Sequence, residues 1–143
     1  MASTPENNLP RSPHEKVGGL VYFGRMLDKI RLNQNGLLAP DYLPNLGEGF
    51  DLRCCLFLNV PYPWVVSEVA RGGSDAELLQ RCFEHGQQPN EEQVNVWNEY
   101  MRKRGWNDSG SDRLQQRLAE GGFENRTDIQ TFFDYIDLDE GRR

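Results

Sequence analysis

Four short segments share one signal: a Ser, Thr or Asn followed three residues later by Glu or Gln, next to apolar residues. They are Ser12/Glu15, Ser74/Glu77, Asn90/Gln93 and Thr127/Gln130. Such a pair gives partners to two of the N–H groups that a helix start leaves unsatisfied, so each predicts a helix N-terminus. Glycine stops follow at Gly18-Gly19 and Gly86, within about a dozen residues of the start before them. A chain punctuated this often can build only short helices joined by Pro/Gly-rich loops.

Between these starts the spacing adds further elements. Ser12, with Pro13 suited to the first helical position, predicts a short helix ended by Gly18-Gly19. A second helix is expected from Gly24, with Phe23, Met26, Leu27 and Ile30 on one side, ending at Asn35-Gly36. The stretch "LLAPDYLPNLGEG" reads as a loop. "FDLRCCLFLN" fits strand or buried helix by periodicity; helix is preferred because no partner strand is visible elsewhere. "PYPWVVSEVARGG" is a helix opened by Pro63 and closed by Gly72-Gly73. Later segments carry stripes of Leu78, Leu79, Cys82 and Phe83, then of Val94, Trp97 and Met101, then the pair Leu114 and Leu118. The last helix is expected to begin at the Thr127 box with Ile129, Phe132, Phe133 and Ile136 on one face. The expectation is an all-α, compact single domain of six to eight short helices over residues 10–143, preceded by a flexible tail over 1–9.

At 143 residues a single domain buries roughly 70% of the surface its unfolded chain exposes, so no metal or disulfide is needed to hold it together. Sixteen basic against twenty-two acidic residues give a net charge of −6, which argues against nucleic acid as a partner, since phosphate binding needs clustered cations. No apolar run approaches the ~20 residues of a membrane span, and no secretory leader is visible, so a cytoplasmic setting without membrane contact is expected. Cys54, Cys55 and Cys82 make no even framework and read as small apolar filling.

Motifs of known chemistry are scarce. No phosphate-cradling glycine loop is present, and Gly72-Gly73-Ser74 reads as a helix stop followed by a cap. His14 and His85 stand alone, without ligand spacing, so no metal and no cofactor is expected. Asn98 falls on the core-facing stripe of its helix; such an amide must find partners, either by tying down irregular backbone or by lining a polar pocket.

The C-terminal end is the most unusual region. Asp134, Asp137, Asp139 and Glu140 crowd the end of a helix, where the dipole disfavours negative charge. The first third of the chain offers cations to answer them: Arg11, and Arg25 with Lys29 one helical turn apart. Three readings stay open here: structural pairing with Arg11, Arg25 or Lys29, a ligand-binding cleft, or a solvated acidic tail. Structural pairing is preferred.

"LPRSPHEKVGG", "RMLDKIR", "VNVWNEYM" and "RTDIQTFFDYIDLDEGR", in this order along the chain, resemble a family of small bacterial proteins known only as a domain of unknown function. The resemblance implies a compact cytosolic domain and carries no activity. Its signature matches here at Pro10 to Pro13, at Arg25, Asp28 and Lys29, and at Arg126, Thr127, Asp128, Asp134, Asp137 and Asp139. The chain departs from the family pattern at Gly24, where proline is usual, at Tyr22, where histidine is common, and at Cys54 and Cys55, which replace more ordinary apolar residues.

The expected function is a non-enzymatic binding module for a protein or small polar ligand. The alternative is an enzyme acting on an anionic metabolite through an Arg/Lys–Asp cluster. Both draw on the same candidate ligand-binding residues: Arg11, Arg25, Lys29, Arg126, Asp134 and Asp137. A protein-binding module would expose an apolar patch, for which Leu37, Leu38, Tyr42 and Leu43 are the candidates.

Overall fold

A computed structural model describes residues 6–143. Helix α1 (Phe23–Gln34) runs through its centre, and all ten residues from Phe23 to Leu32 are buried. Its apolar face was expected inside; the opposite face, with Arg25, Asp28, Lys29 and Arg31, is buried as well. Around it lie α2 (Phe50–Leu58), α3 (Tyr62–Arg71), α4 (Asp75–His85), α5 (Glu91–Lys103), α6 (Ser111–Glu120) and α7 (Phe132–Asp139). The boxes at Ser74/Glu77 and Asn90/Gln93 are both formed, each with reciprocal side-chain and backbone hydrogen bonds.

The segment from Ser12 to Val21 corrects the expectation of a first helix. It is a small antiparallel hairpin, β1 (Lys16–Val17) and β2 (Leu20–Val21), with Lys16 opposite Val21 and Val17 opposite Leu20. Gly18 and Gly19 both have positive φ, 56° and 85°. Two-residue hairpin loops with positive φ at both positions match the twist of the strands they join, and glycine adopts that conformation readily, so the pair is a strand turn rather than a helix stop. The Ser12 hydroxyl accepts from the His14 N–H rather than from Glu15. Asn98 then pins the hairpin: its Oδ1 accepts from Val21 N–H at 3.1 Å and its Nδ2 donates to Gly19 O at 2.8 Å. The amide ties down irregular backbone.

Two smaller corrections follow. The stretch expected as loop contains a 3-10 helix, Pro40–Asn45. The last helix begins at Phe132 rather than at the Thr127 box, capped by Thr131, whose hydroxyl accepts from Asp134 N–H. Ile129 is fixed outside the helix by burial, and Phe132 N–H donates to Arg104 O, so tertiary contacts override the local box. Of the expected tail, residues 1–5 lie outside the described residues and Glu6–Asn8 form a 3-10 turn.

The apolar side chains form two clusters. The larger joins the hairpin with α1 to α5 and includes Phe133 of α7; the smaller contains Leu114 and Leu118 of α6, Ile129, and Leu138 of α7. The closing helix therefore belongs to both, with Phe133 on one side and Leu138 on the other. Among the described residues, no helix is long and apolar enough to cross a membrane.

Candidate functional site

The buried charges of α1 are each answered. Asp28 accepts from the Arg11 backbone N–H at 2.9 Å and from its Nε and Nη2, both at 2.8 Å. Asp75, at the start of α4, accepts from Arg11 Nη1 at 2.8 Å and from Arg31 Nη1 at 2.7 Å. Two cations and two anions thus alternate. Arg11 raises its pKa on these partners, Asp28 first, while Arg11 and Arg31 hold Asp75 low against the opposing effect of burial. Gly24 allows the close approach, since a Cβ there would sit 2.7 Å from Arg11 Nη1.

A second buried group forms where α1 meets α2. Lys29 Nζ lies 3.1 Å from both carboxylate oxygens of Asp51, and the Tyr22 hydroxyl donates to Asp51 at 2.6 Å. Asp51 is wholly buried, and a fourth hydrogen bond, from Gly47 N–H, completes its shell. Burial lowers the Lys29 pKa despite Asp51, and raises that of Tyr22 well above its ordinary value. Tyr22 has a φ of 74°, a conformation costly for a bulky residue. Its N–H donates to Pro13 O and its hydroxyl is held by Asp51, so both ends of the residue are fixed.

The acids at the end of α7 are the third group, and their partners answer the dipole problem. Glu140 receives a two-pronged contact from Arg25, at 2.9 and 2.7 Å, and a hydrogen bond from the Tyr42 hydroxyl at 2.6 Å. Burial pushes its pKa up, but Arg25, Tyr42 and Arg142 hold it below 4.5. Asp137 accepts from the Ser12 hydroxyl and from Arg142, while Asp134 pairs with His14 and Arg143. Arg142 also donates to Pro10 O, so the two ends of the domain are clasped. Ser12, His14 and Asp134 do not form a nucleophilic triad: the Ser12 hydroxyl is committed to Asp137, and the His14 ring to Asp134.

Between the two apolar clusters opens a cleft of about 840 Å³. Tyr22, Arg25 and Lys29 line it, as does the segment around Tyr42. Phe50, Phe132, Tyr135 and Ile136 supply its apolar lining. Arg53, Arg104, Arg113 and Arg117 also line it, together with the carboxylates of Asp41, Glu48, Glu120 and Glu140. Arg104 pairs with Asp108. The other three have no ion-pair partner among the described residues: Arg53 lies over the Tyr100 ring, and Arg113 donates to Gln116. Asp139 also lines the cleft and has no hydrogen-bond or ion-pair partner among the described residues. Asp139 is solvent-exposed, and the little burial it has, with the negative charge of Glu140 and Asp41, raises its pKa.

Of the six candidate ligand-binding residues named from the sequence, only Arg25 and Lys29 line this cleft. Arg11 belongs to the Asp28/Asp75 group, and Asp134 and Asp137 hold the N-terminal segment. Arg126 is paired locally with Asp128 near the surface. The pairing of the acidic end expected with Arg11, Arg25 or Lys29 is made through Arg25, which Glu140 alone of the four acids reaches; Arg11 is taken by Asp28 with Asp75, and Lys29 by Asp51. Asp51 was missed, although a lone acid in the apolar "FDLRCCLFL" is a signal for a buried pair. Arg113 and Arg117, one turn apart on α6, carried no signal beyond their spacing. The cysteines are buried, Cys55 and Cys82 having thiols pushed up to about 12 by burial, which makes them unreactive.

Fold and cleft together define a small helical domain built on a charged central helix, with a charged, aromatic-lined depression. The chain belongs to the family described as a domain of unknown function, DUF5069, whose model matches residues 7–142. No curated protein matches it.

Proposed function

We propose that this domain is a non-enzymatic, cytoplasmic binding module that takes a small organic anion in the cleft between its two apolar clusters. One observation carries the reading: in a chain of net charge −6, Arg53, Arg113 and Arg117 line a single cleft without carboxylate partners. Guanidinium groups held near apolar lining are ready partners for phosphate or carboxylate, which they bind through paired hydrogen bonds. The volume lies in the range of roughly 300–1,000 Å³ usual for small-molecule sites. A thermal-shift screen against organic phosphates and carboxylates tests the proposal. Binding anions are expected to raise the melting midpoint of the native chain and of Glu91→Gln, but not of an Arg113→Ala/Arg117→Ala variant. A flat screen of the native chain would overturn the reading.

The enzymatic alternative draws on Asp139, an unpaired carboxylate of raised pKa on the same cleft, which is the environment of a general base. It ranks second because no acid or nucleophile stands within hydrogen-bond reach of that carboxylate among the described residues. Protein recognition through the loop after α1 has less support: Leu38 is buried and Tyr42 is held by Glu140, which leaves Leu37 and Leu43 exposed.

A further inference from the structure

We infer that the anion bound in the cleft is a nucleotide, with its phosphate at Arg113 and Arg117, its base against the aromatic lining and its ribose hydroxyls donating to Asp139. The inference rests on the anion-binding reading and names the ligand class of that site.

Three chemistries meet in the cleft. Arg113 and Arg117 stand at i and i+4 on α6, so both guanidinium groups can face one ligand. Phe50, Phe132 and Tyr135 supply ring surface, with Phe50 and Phe132 edge to face at 6.1 Å. Asp139 offers two acceptor oxygens without a partner among the described residues, close enough to Arg117 for the two charges to interact.

Each chemistry alone fits several ligands, but together they narrow the class. A sugar phosphate would use the arginines and the carboxylate while leaving the rings wet. An acyl anion would cover the rings and meet an arginine, yet it would desolvate Asp139 without giving it a donor, which is costly. A nucleotide answers all three: phosphate for guanidinium, a stacking base for the rings, and hydroxyl donors for the carboxylate. Since the sequence has no glycine-rich phosphate loop, the phosphate would be held by side chains alone.

Calorimetric titration of the full chain with the four nucleoside 5′-monophosphates, ribose 5-phosphate and decanoate tests this. At least one nucleotide is expected to bind about tenfold or more tightly than ribose 5-phosphate, the difference that base stacking supplies. Arg117→Ala should weaken every anion that binds. Asp139→Asn should weaken the preferred nucleotide about tenfold, as expected for the loss of a charge-assisted hydrogen bond. The same variant should leave the affinity of the matching 2′,3′-dideoxynucleotide unchanged. Melting curves establish that both variants are folded. Ribose 5-phosphate binding as tightly as every nucleotide, or decanoate binding more tightly, would overturn the nucleotide inference while leaving the anion reading intact. An Asp139→Asn variant that binds the ribonucleotide normally would overturn the role given to that carboxylate. No binding by any of the probes would overturn both readings.

Discussion

Arg25 and Lys29 on α1 stand one helical turn apart, as do Arg113 and Arg117 on α6, yet the two helices use their cations in opposite ways. On α1 each charge is about 4% exposed and answered: Arg25 by Glu140, Lys29 by Asp51. On α6 the arginines reach a cleft and have no acid within ion-pair distance among the described residues. A buried charge must be paired, because its desolvation cost is otherwise unmet; a solvated charge can remain unpaired and wait for a ligand. Paired and buried marks architecture, and unpaired in a cleft marks the place to look for function.

Removing one partner of a buried pair should break the comparison most visibly. Asp51→Ala leaves Lys29 buried without its counter-charge and should cost about 3–5 kcal/mol in urea denaturation. The double variant Lys29→Met/Asp51→Leu should recover most of that loss, since the desolvation cost disappears with the charges. A single variant within 1 kcal/mol of the native chain would show that Lys29 is not held as described.

Acid titration is the next largest effect. Glu140 and Asp75 have folded pKa values below their ordinary 4.5 and 3.8. Their stabilisation is therefore fully present above those ordinary values and lost as pH falls through the lower folded values. Stability should decline below about pH 4.5, and Glu140→Gln, already weakened at pH 7, should decline less steeply over the same window. Equal slopes for the two proteins would remove Glu140 from the account.

Asp139 should respond in the opposite sense. Its folded pKa is raised, so ionisation disfavours the folded state, and Asp139→Asn should slightly raise the melting midpoint at pH 7. A drop in the midpoint would assign this residue to the architecture instead. Arg117→Ala is expected to change stability by no more than about 0.5 kcal/mol while it weakens anion binding, which separates the two roles in one protein. Arg126→Ala should alter neither the midpoint nor the binding, because its pair with Asp128 is exposed.

The sequence made much of the helical framework legible. Ser74, Asn90 and the glycine stops act through contacts three or four residues away, and such contacts are written in the chain itself. It misled at Gly18-Gly19, because a glycine pair ends a helix and turns a hairpin equally well, and only the neighbours decide. It misled again at Thr127, where burial of Ile129 outweighed a local box worth about 1 kcal/mol. Half of the α1 story was visible too: the charges were evident, but a helix with apolar and charged sides normally turns the latter to solvent, and burial on both sides depends on which elements close around it.

What this sequence determined alone was most of the short helices, the caps at Ser74 and Asn90, and the absence of familiar chemical motifs. Which charge answers which was decided by the tertiary structure. Arg25 and Glu140 are 115 residues apart and Arg11 and Asp75 are 64 apart, so neither pairing leaves a local trace. The cleft is of the same kind. Its arginines, rings and unpaired carboxylate come from α1, α2, the end of α5, α6 and α7, and they meet where Phe133 and Leu138 anchor the last helix in two separate cores.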